Sequence, residues 1–203
     1  MYVIMSRIQI FALLAVATIT ATGLWLTGWL QPQQAQIRTS GTALVGGPIK
    51  LTGHDGEVVS GEQFRGKYML VFFGYTYCPD VCPAGLQVMT SALEELGTKA
   101  DNVQPLFITI DPERDTVPVM ASYVENFHPR LIGLTGTPEQ IDTVAKAYRV
   151  YYKKAGDDAD YLMDHSSILY LMDAKGKFAK HFTYTTDAAA LAKQLQEFIS
   201  GNS

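Results

Sequence analysis

YMLVFFGYTYCPDVCPAGLQVMTSALEELG, residues 68–97, is the stretch on which the fold of this chain turns. Its opening, YMLVFFGY (68–75), is an unbroken apolar run of strand length and composition, as expected of a central strand buried on both faces. From Pro83 the pattern changes. Leu86, Met89, Leu93 and Leu96 recur at spacings of three and four, which predicts an amphipathic helix over 83–97, with Pro83 at its first position and Gly97 at its end. Between strand and helix stand Cys78 and Cys82, the only two cysteines among 203 residues.

Working outward, PLFITI (105–110) and LIGLTG (131–136) read as further strands. Thr116 is placed to cap a helix over 117–127, with Met120, Tyr123, Val124 and Phe127 on one face. Thr137-Pro138-Glu139-Gln140 predicts a capping box ahead of a helix whose apolar face is Ile141, Val144, Ala145 and Tyr148. Upstream, LTGHDGEVVS (51–60) predicts a hairpin turning at Asp55-Gly56. Downstream, SILYLMD (167–173) and KFAKHFTYT (177–185) predict a second hairpin, and Asp187 caps a last helix with Leu191, Leu195, Phe198 and Ile199 inward. A strand, a cysteine pair at a helix start, further βα units, a hairpin and a final helix define an α/β fold: a thioredoxin-like mixed sheet flanked by helices, over residues 48–203.

The N-terminal part is of another kind. IQIFALLAVATITATGLWLTGWL (8–30) carries no charge, and as a helix its 23 residues span about 35 Å, enough to cross a bilayer. Arg7 precedes it, and Trp25 and Trp29 suit an interfacial belt. Residues 1–30 are therefore expected to be a cytoplasmic start and a transmembrane helix, and 31–47 a flexible tether to an exported domain. No Arg/Ser-rich, acid-poor transit segment stands out, so the expected location is a bacterial inner membrane, crossed once, with the C-terminal domain in the periplasm. A net charge of −4 at pH 7 argues against nucleic acid as a partner.

Three chemistries suit the cysteine pair: a structural disulfide, a redox dithiol or a metal grip. As a staple it closes a very short loop and adds little. At a helix cap, where backbone N–H groups and the dipole favour negative charge, Cys82 is expected to be the stabilised thiolate, which serves exchange chemistry and metal binding alike. The spacing is C-x-x-x-C rather than the C-x-x-C of thioredoxin-type oxidoreductases. Two soft thiolates favour Cu(I), with zinc, which wants four ligands in a closed site, as competitor. Of four histidines, His54 lies in a turn, His128 at a helix end and His181 on a strand; His165, in YLMDHSS, stands just before an apolar strand in a loop expected to return towards the cysteine helix. A peroxiredoxin-like peroxidase is disfavoured, since Thr76-Tyr77-Cys78 is one residue short of T-x-x-C.

GYTYCPDVCP (74–83), DPERDT (111–116) and YLMDHS (161–166), in this order behind an apolar N-terminal run, resemble the Sco/SenC family over roughly residues 45–200. The resemblance implies a thioredoxin-like fold with one copper ion, Cu(I) or Cu(II), held by Cys78, Cys82 and His165. It implies a part in building the copper A centre of cytochrome c oxidase, as copper donor, thiol reductant or both. The partners would be the copper-bearing oxidase subunit and another periplasmic copper carrier or thiol reductase. Asp80, between the cysteines, is then expected to tune the loop, Asp111 to support the site from the strand edge, and Asp164 to orient His165 by accepting its second N–H. On this reading the chain is a metallochaperone rather than an enzyme. The rival is a thiol–disulfide oxidoreductase in which Cys78 attacks and Cys82 resolves.

Overall fold

The structure, a computed structural model, describes residues 45–156, 158 and 160–201. The expected transmembrane helix (8–30) and most of the tether lie outside these residues; among the described residues no helix is long and apolar enough to cross a membrane. Val45 packs against the core, and Gly46 donates its N–H to the carbonyl of Ala147 at 2.9 Å.

A seven-stranded mixed sheet is built on β3 (Tyr68–Gly74), every residue of which is buried. On one side β3 pairs in parallel with β4 (Val103–Thr109), which pairs in parallel with β5 (Ile132–Thr135). The antiparallel hairpin of β1 (Lys50–Gly53) and β2 (Val58–Ser60) closes that edge through β1 against β5. On the other side β3 pairs antiparallel with β8 (Ile168–Met172), and β8 with β9 (Phe178–Thr183). Successive strand residues face opposite sides. Phe72 thus lies towards the cysteine helix and Phe107, while Phe73 lies towards Tyr148 and Tyr170. Both faces of β3 are covered, which is why its sequence shows no alternation.

Among the described residues four α-helices flank the sheet: α1 (Val81–Leu96), α2 (Val117–Val124), α3 (Pro138–Ala147) and α4 (Ala188–Ser200). The capping box is formed, Thr137 Oγ1 accepting from the N–H of Gln140 and Gln140 Oε1 from that of Thr137. Asp187 accepts from the N–H of Ala190 at 3.0 Å. Gly97 closes α1 at φ +55°, a conformation that L side chains rarely adopt.

Two helix boundaries differ from expectation. α1 begins at Val81, two residues early, with Asp80 at its cap; Pro83 falls inside the first turn, where the N–H it lacks has no intrahelical partner anyway. α2 stops at Val124, because the Asn126 side chain donates to the carbonyls of Ser122 and Tyr123 and takes over the last turn. One sheet was not anticipated: β6 (Tyr152–Ala155) and β7 (Leu162–His165) form a separate two-stranded ladder. His165 ends a strand rather than sitting in a loop.

Candidate metal centre

The loop between β3 and α1 is held before it reaches its first cysteine. Thr76 donates its N–H and its hydroxyl to the Asp115 carboxylate, at 3.0 and 2.5 Å, and Thr109 donates its hydroxyl at 2.6 Å. Asp115 has no exposed surface, and burial raises its pKa against those hydrogen bonds. The chain then turns, Cys78 N–H bonding to the carbonyl of Tyr75 at 3.3 Å, and enters α1.

Both cysteines are free thiols; Cys78 is 7% exposed and Cys82 fully buried. Room for Cys82 comes from Gly74, where a Cβ would stand 2.7 Å from Sγ. The N–H of Cys82 donates to the sulfur of Cys78 at 3.4 Å. The expectation that Cys82 carries the charge is overturned. The Cys78 thiol is lowered to about 4, chiefly because the Cys82 thiol donates to it, with further donation from the backbone N–H groups of Asp80 and Cys82, against burial. Cys82 is pushed up by that shared proton, by burial and by the charge on Cys78. The early helix start explains the exchange of roles: with Asp80 at the cap, the first-turn amides converge on the sulfur outside the helix, not on the one within it.

His165 reaches this pair from β7, 83 residues along the chain. Its Nε2 lies 3.4 Å from Cys82 Sγ, and one donor atom from each of Cys78, Cys82 and His165 all lie within 4.8 Å of one another. Nδ1 is 3.1 Å from the carbonyl of Ser166. A carbonyl can only accept, so the ring proton sits on Nδ1 and the Nε2 lone pair faces the sulfurs. Asp164 does not take this bond: neighbouring residues of a strand point to opposite faces, and it is exposed, paired across the hairpin with Lys153. Asp80 is exposed and caps α1 without a side-chain bond. Asp111 is buried and contacts none of the three donors; its carboxylate bonds Arg114 Nε at 2.5 Å and the Tyr161 hydroxyl at 2.7 Å.

The remaining histidines are accounted for locally. His54 Nδ1 accepts from the N–H of Gly133, His128 Nδ1 from that of Arg130, and exposed His181 stacks on Phe178. Four residues of the surroundings carried no signal that was read as functional. Gly74 and Asp115 act by long-range contact. Tyr75 accepts the Met163 N–H at 3.2 Å and meets the His165 ring edge-on at 5.8 Å. Arg114 lies over three tyrosines, Tyr161, Tyr77 and Tyr75.

Two thiols and an imidazole converging at a rim only slightly open to solvent form a soft set of three donors, which favours copper over magnesium or calcium. The same pair, one thiolate beside one thiol, is also competent for disulfide exchange.

Residues 37–200 match the family model described as SCO1/SenC. The mitochondrial protein SCO1 homolog of Homo sapiens is 46% identical over 149 residues, 71% of this chain and 50% of that protein. A SCO2-like protein of Rickettsia felis is 41% identical over 161 residues, 78% of this chain and 77% of that one. The structure of ScoI from Bradyrhizobium japonicum with copper bound is similar at a TM-score of 0.72 and 43% identity, covering 76% of this chain and 99% of that one. The chain spans about half the length of the human relative.

Proposed function

The chain belongs to the SCO1/SenC family, and from that membership and the geometry of its cysteines we propose that it binds one copper ion through Cys78, Cys82 and His165 and passes it on in the assembly of cytochrome c oxidase. The observation that carries the reading is the meeting of two sulfurs and the lone pair of an imidazole 83 residues further along the chain, all within 4.8 Å. Cu(I) would be cargo here, not a resident cofactor. Cys78, at the rim, is the ligand an incoming acceptor thiolate can displace first. The fully buried Cys82 and the half-buried His165 hold the ion until a second acceptor ligand arrives. Asp80 supports the pair through its backbone N–H to the Cys78 sulfur.

The acceptor is the copper-bearing oxidase subunit, and the supplier another periplasmic copper carrier. Residues 8–30 anchor the domain to a bacterial inner membrane with the head in the periplasm, raising its effective concentration near a membrane-bound target.

The low-lying Cys78 thiol beside a protonated Cys82 supports a second activity at the same pair. Cys78 thiolate attacks a target disulfide and releases one target thiolate; Cys82 then closes on Cys78 and releases the other, so two electrons and the Cys82 proton pass to the target, whose remaining thiolate takes its proton from water. Anaerobic titration of the reduced full-length chain separates the readings. Copper delivery requires one tight equivalent, weakened in Cys78→Ser, Cys82→Ser and His165→Ala. Binding that survives His165→Ala unchanged leaves only the dithiol role.

A further inference from the structure

His165 stands on an element with little of its own to hold it. The β6–β7 hairpin shares no ladder with the seven-stranded sheet, and a lone pair of short strands is marginal in water. At its C-terminal end β7 is secured by the chain, since Ile168 opens β8 three residues on. Its N-terminal end hangs on side chains.

Two of those side chains, Asp111 and Arg114, come from one loop, DPERDT (111–116), which grips in two directions. Towards the cysteines, Asp115 fixes Thr76, two residues before Cys78, to the end of β4 through Thr109, and its carbonyl accepts from the Thr135 hydroxyl on β5 at 2.7 Å. Towards the hairpin, Asp111 accepts the Tyr161 hydroxyl on one oxygen and Arg114 Nε on the other. The Arg114 guanidinium carbon sits 3.5 Å from the centre of the Tyr161 ring, 4.6 Å from that of Tyr77 and 5.9 Å from that of Tyr75. The guanidinium is thus shared between the hairpin and the cysteine loop. Both its terminal nitrogens are buried with no hydrogen-bond partner among the described residues. Leaving buried donors unpaired is costly, and tyrosine faces are what offset it. The contacts along β7 fall at every second residue: Tyr161 to Asp111 and Arg114, Met163 N–H to the Tyr75 hydroxyl, and His165 edge-on to the Tyr75 ring.

We propose that Arg114, Asp111 and Tyr161 are positioning residues, forming a clasp that holds the His165 strand against the cysteine loop and so decides whether the imidazole joins the two sulfurs. This rests on the copper reading above. Loosening the clasp leaves the cysteine pair in place, because Asp115 and α1 hold it separately, and withdraws the histidine.

The test compares the full-length chain, wild type, with Arg114→Leu, Tyr161→Ala and His165→Ala. In the copper-free, reduced protein, hydrogen exchange of the segment 161–166 is read against that of β3 and β4. After one equivalent of Cu(II), pulsed electron paramagnetic resonance reads the imidazole nitrogen and optical absorption reads the thiolate-to-copper band. The clasp predicts exchange about tenfold faster in 161–166 for Arg114→Leu and Tyr161→Ala, with β3 and β4 unchanged. It also predicts that these variants lose the nitrogen signal, as His165→Ala does, while the thiolate band persists. Should Arg114→Leu fail to fold, Tyr161→Phe, which removes only the hydroxyl, carries the same comparison. A nitrogen signal lost in His165→Ala but intact in the clasp variants overturns the clasp and leaves copper binding standing. A signal unchanged in His165→Ala overturns the copper reading, and the exchange rates then judge the clasp alone.

Discussion

Gly74→Ala puts the smallest possible perturbation beside the sulfurs. Gly74 is the last residue of β3, and a Cβ there would lie 2.7 Å from Cys82 Sγ and 2.8 Å from Phe107 Cε2. Ordinary contact begins near 3.4 Å, so the sulfur must retreat by about 0.7 Å and the ring by about 0.6 Å. Neither has anywhere to go, since Cys82 and Phe107 are both fully buried and Phe107 is wedged between Phe72 and Tyr123. Overpacking of this kind costs about 1–3 kcal/mol. A binding site tolerates about 0.5 Å of displacement, so the shift also disturbs the 3.4 Å approach of Cys82 to His165. Urea unfolding of the reduced, copper-free protein should show the loss of stability. Competition with a chromophoric Cu(I) chelator should show affinity lower by about 10–100-fold, as for other disturbed metal surroundings. A Gly74→Ala protein that matches wild type in both assays would refute the idea that this glycine exists to admit the sulfur.

The thiol pair predicts a pH signature in the reduced, copper-free protein. Cys78, lowered to about 4, contributes stability that is whole above the ordinary thiol range, near pH 8.5, and is lost as pH falls from there towards 4. Cys82, raised, contributes in the opposite sense, so stability falls again above that range. Denaturant titrations at a series of pH values should show a slope of up to about 1.4 kcal/mol per pH unit between pH 5 and 8 that Cys78→Ser abolishes; an unchanged slope in that variant contradicts the assignment. Asp187→Ala removes the cap of α4 and should cost about 1 kcal/mol in the same unfolding assay with no change in copper affinity; a loss of affinity would mean that α4 is coupled to the site.

Much of the sheet was legible because burial on both faces erases alternation: the apolar run 68–75 contains β3, all seven of whose residues are buried. The capping box at Thr137 and the cap at Asp187 were legible because they are local, completed within three residues. Proline misled at α1, since the first turn accepts it anywhere that an N–H is not needed, and the two-residue error carried through to the choice of thiolate. The β6–β7 hairpin escaped because its strands of four residues mix tyrosine, lysine and aspartate, with neither edge resting on the main sheet. At the site, the cysteine spacing and the position of His165 within its motif are sequence features. The carboxylate of Asp115 on Thr76, 39 residues away, and the sulfur above Gly74 are not, because they arise only when β3, β4 and α1 are brought together.

X-ray absorption of the full-length chain loaded with one equivalent of Cu(I) measures the coordination itself. Two sulfur scatterers and one nitrogen at a single copper, the nitrogen absent in His165→Ala, is the result that shared ligation by Cys78, Cys82 and His165 predicts; a shell of sulfur alone in the wild-type protein contradicts it.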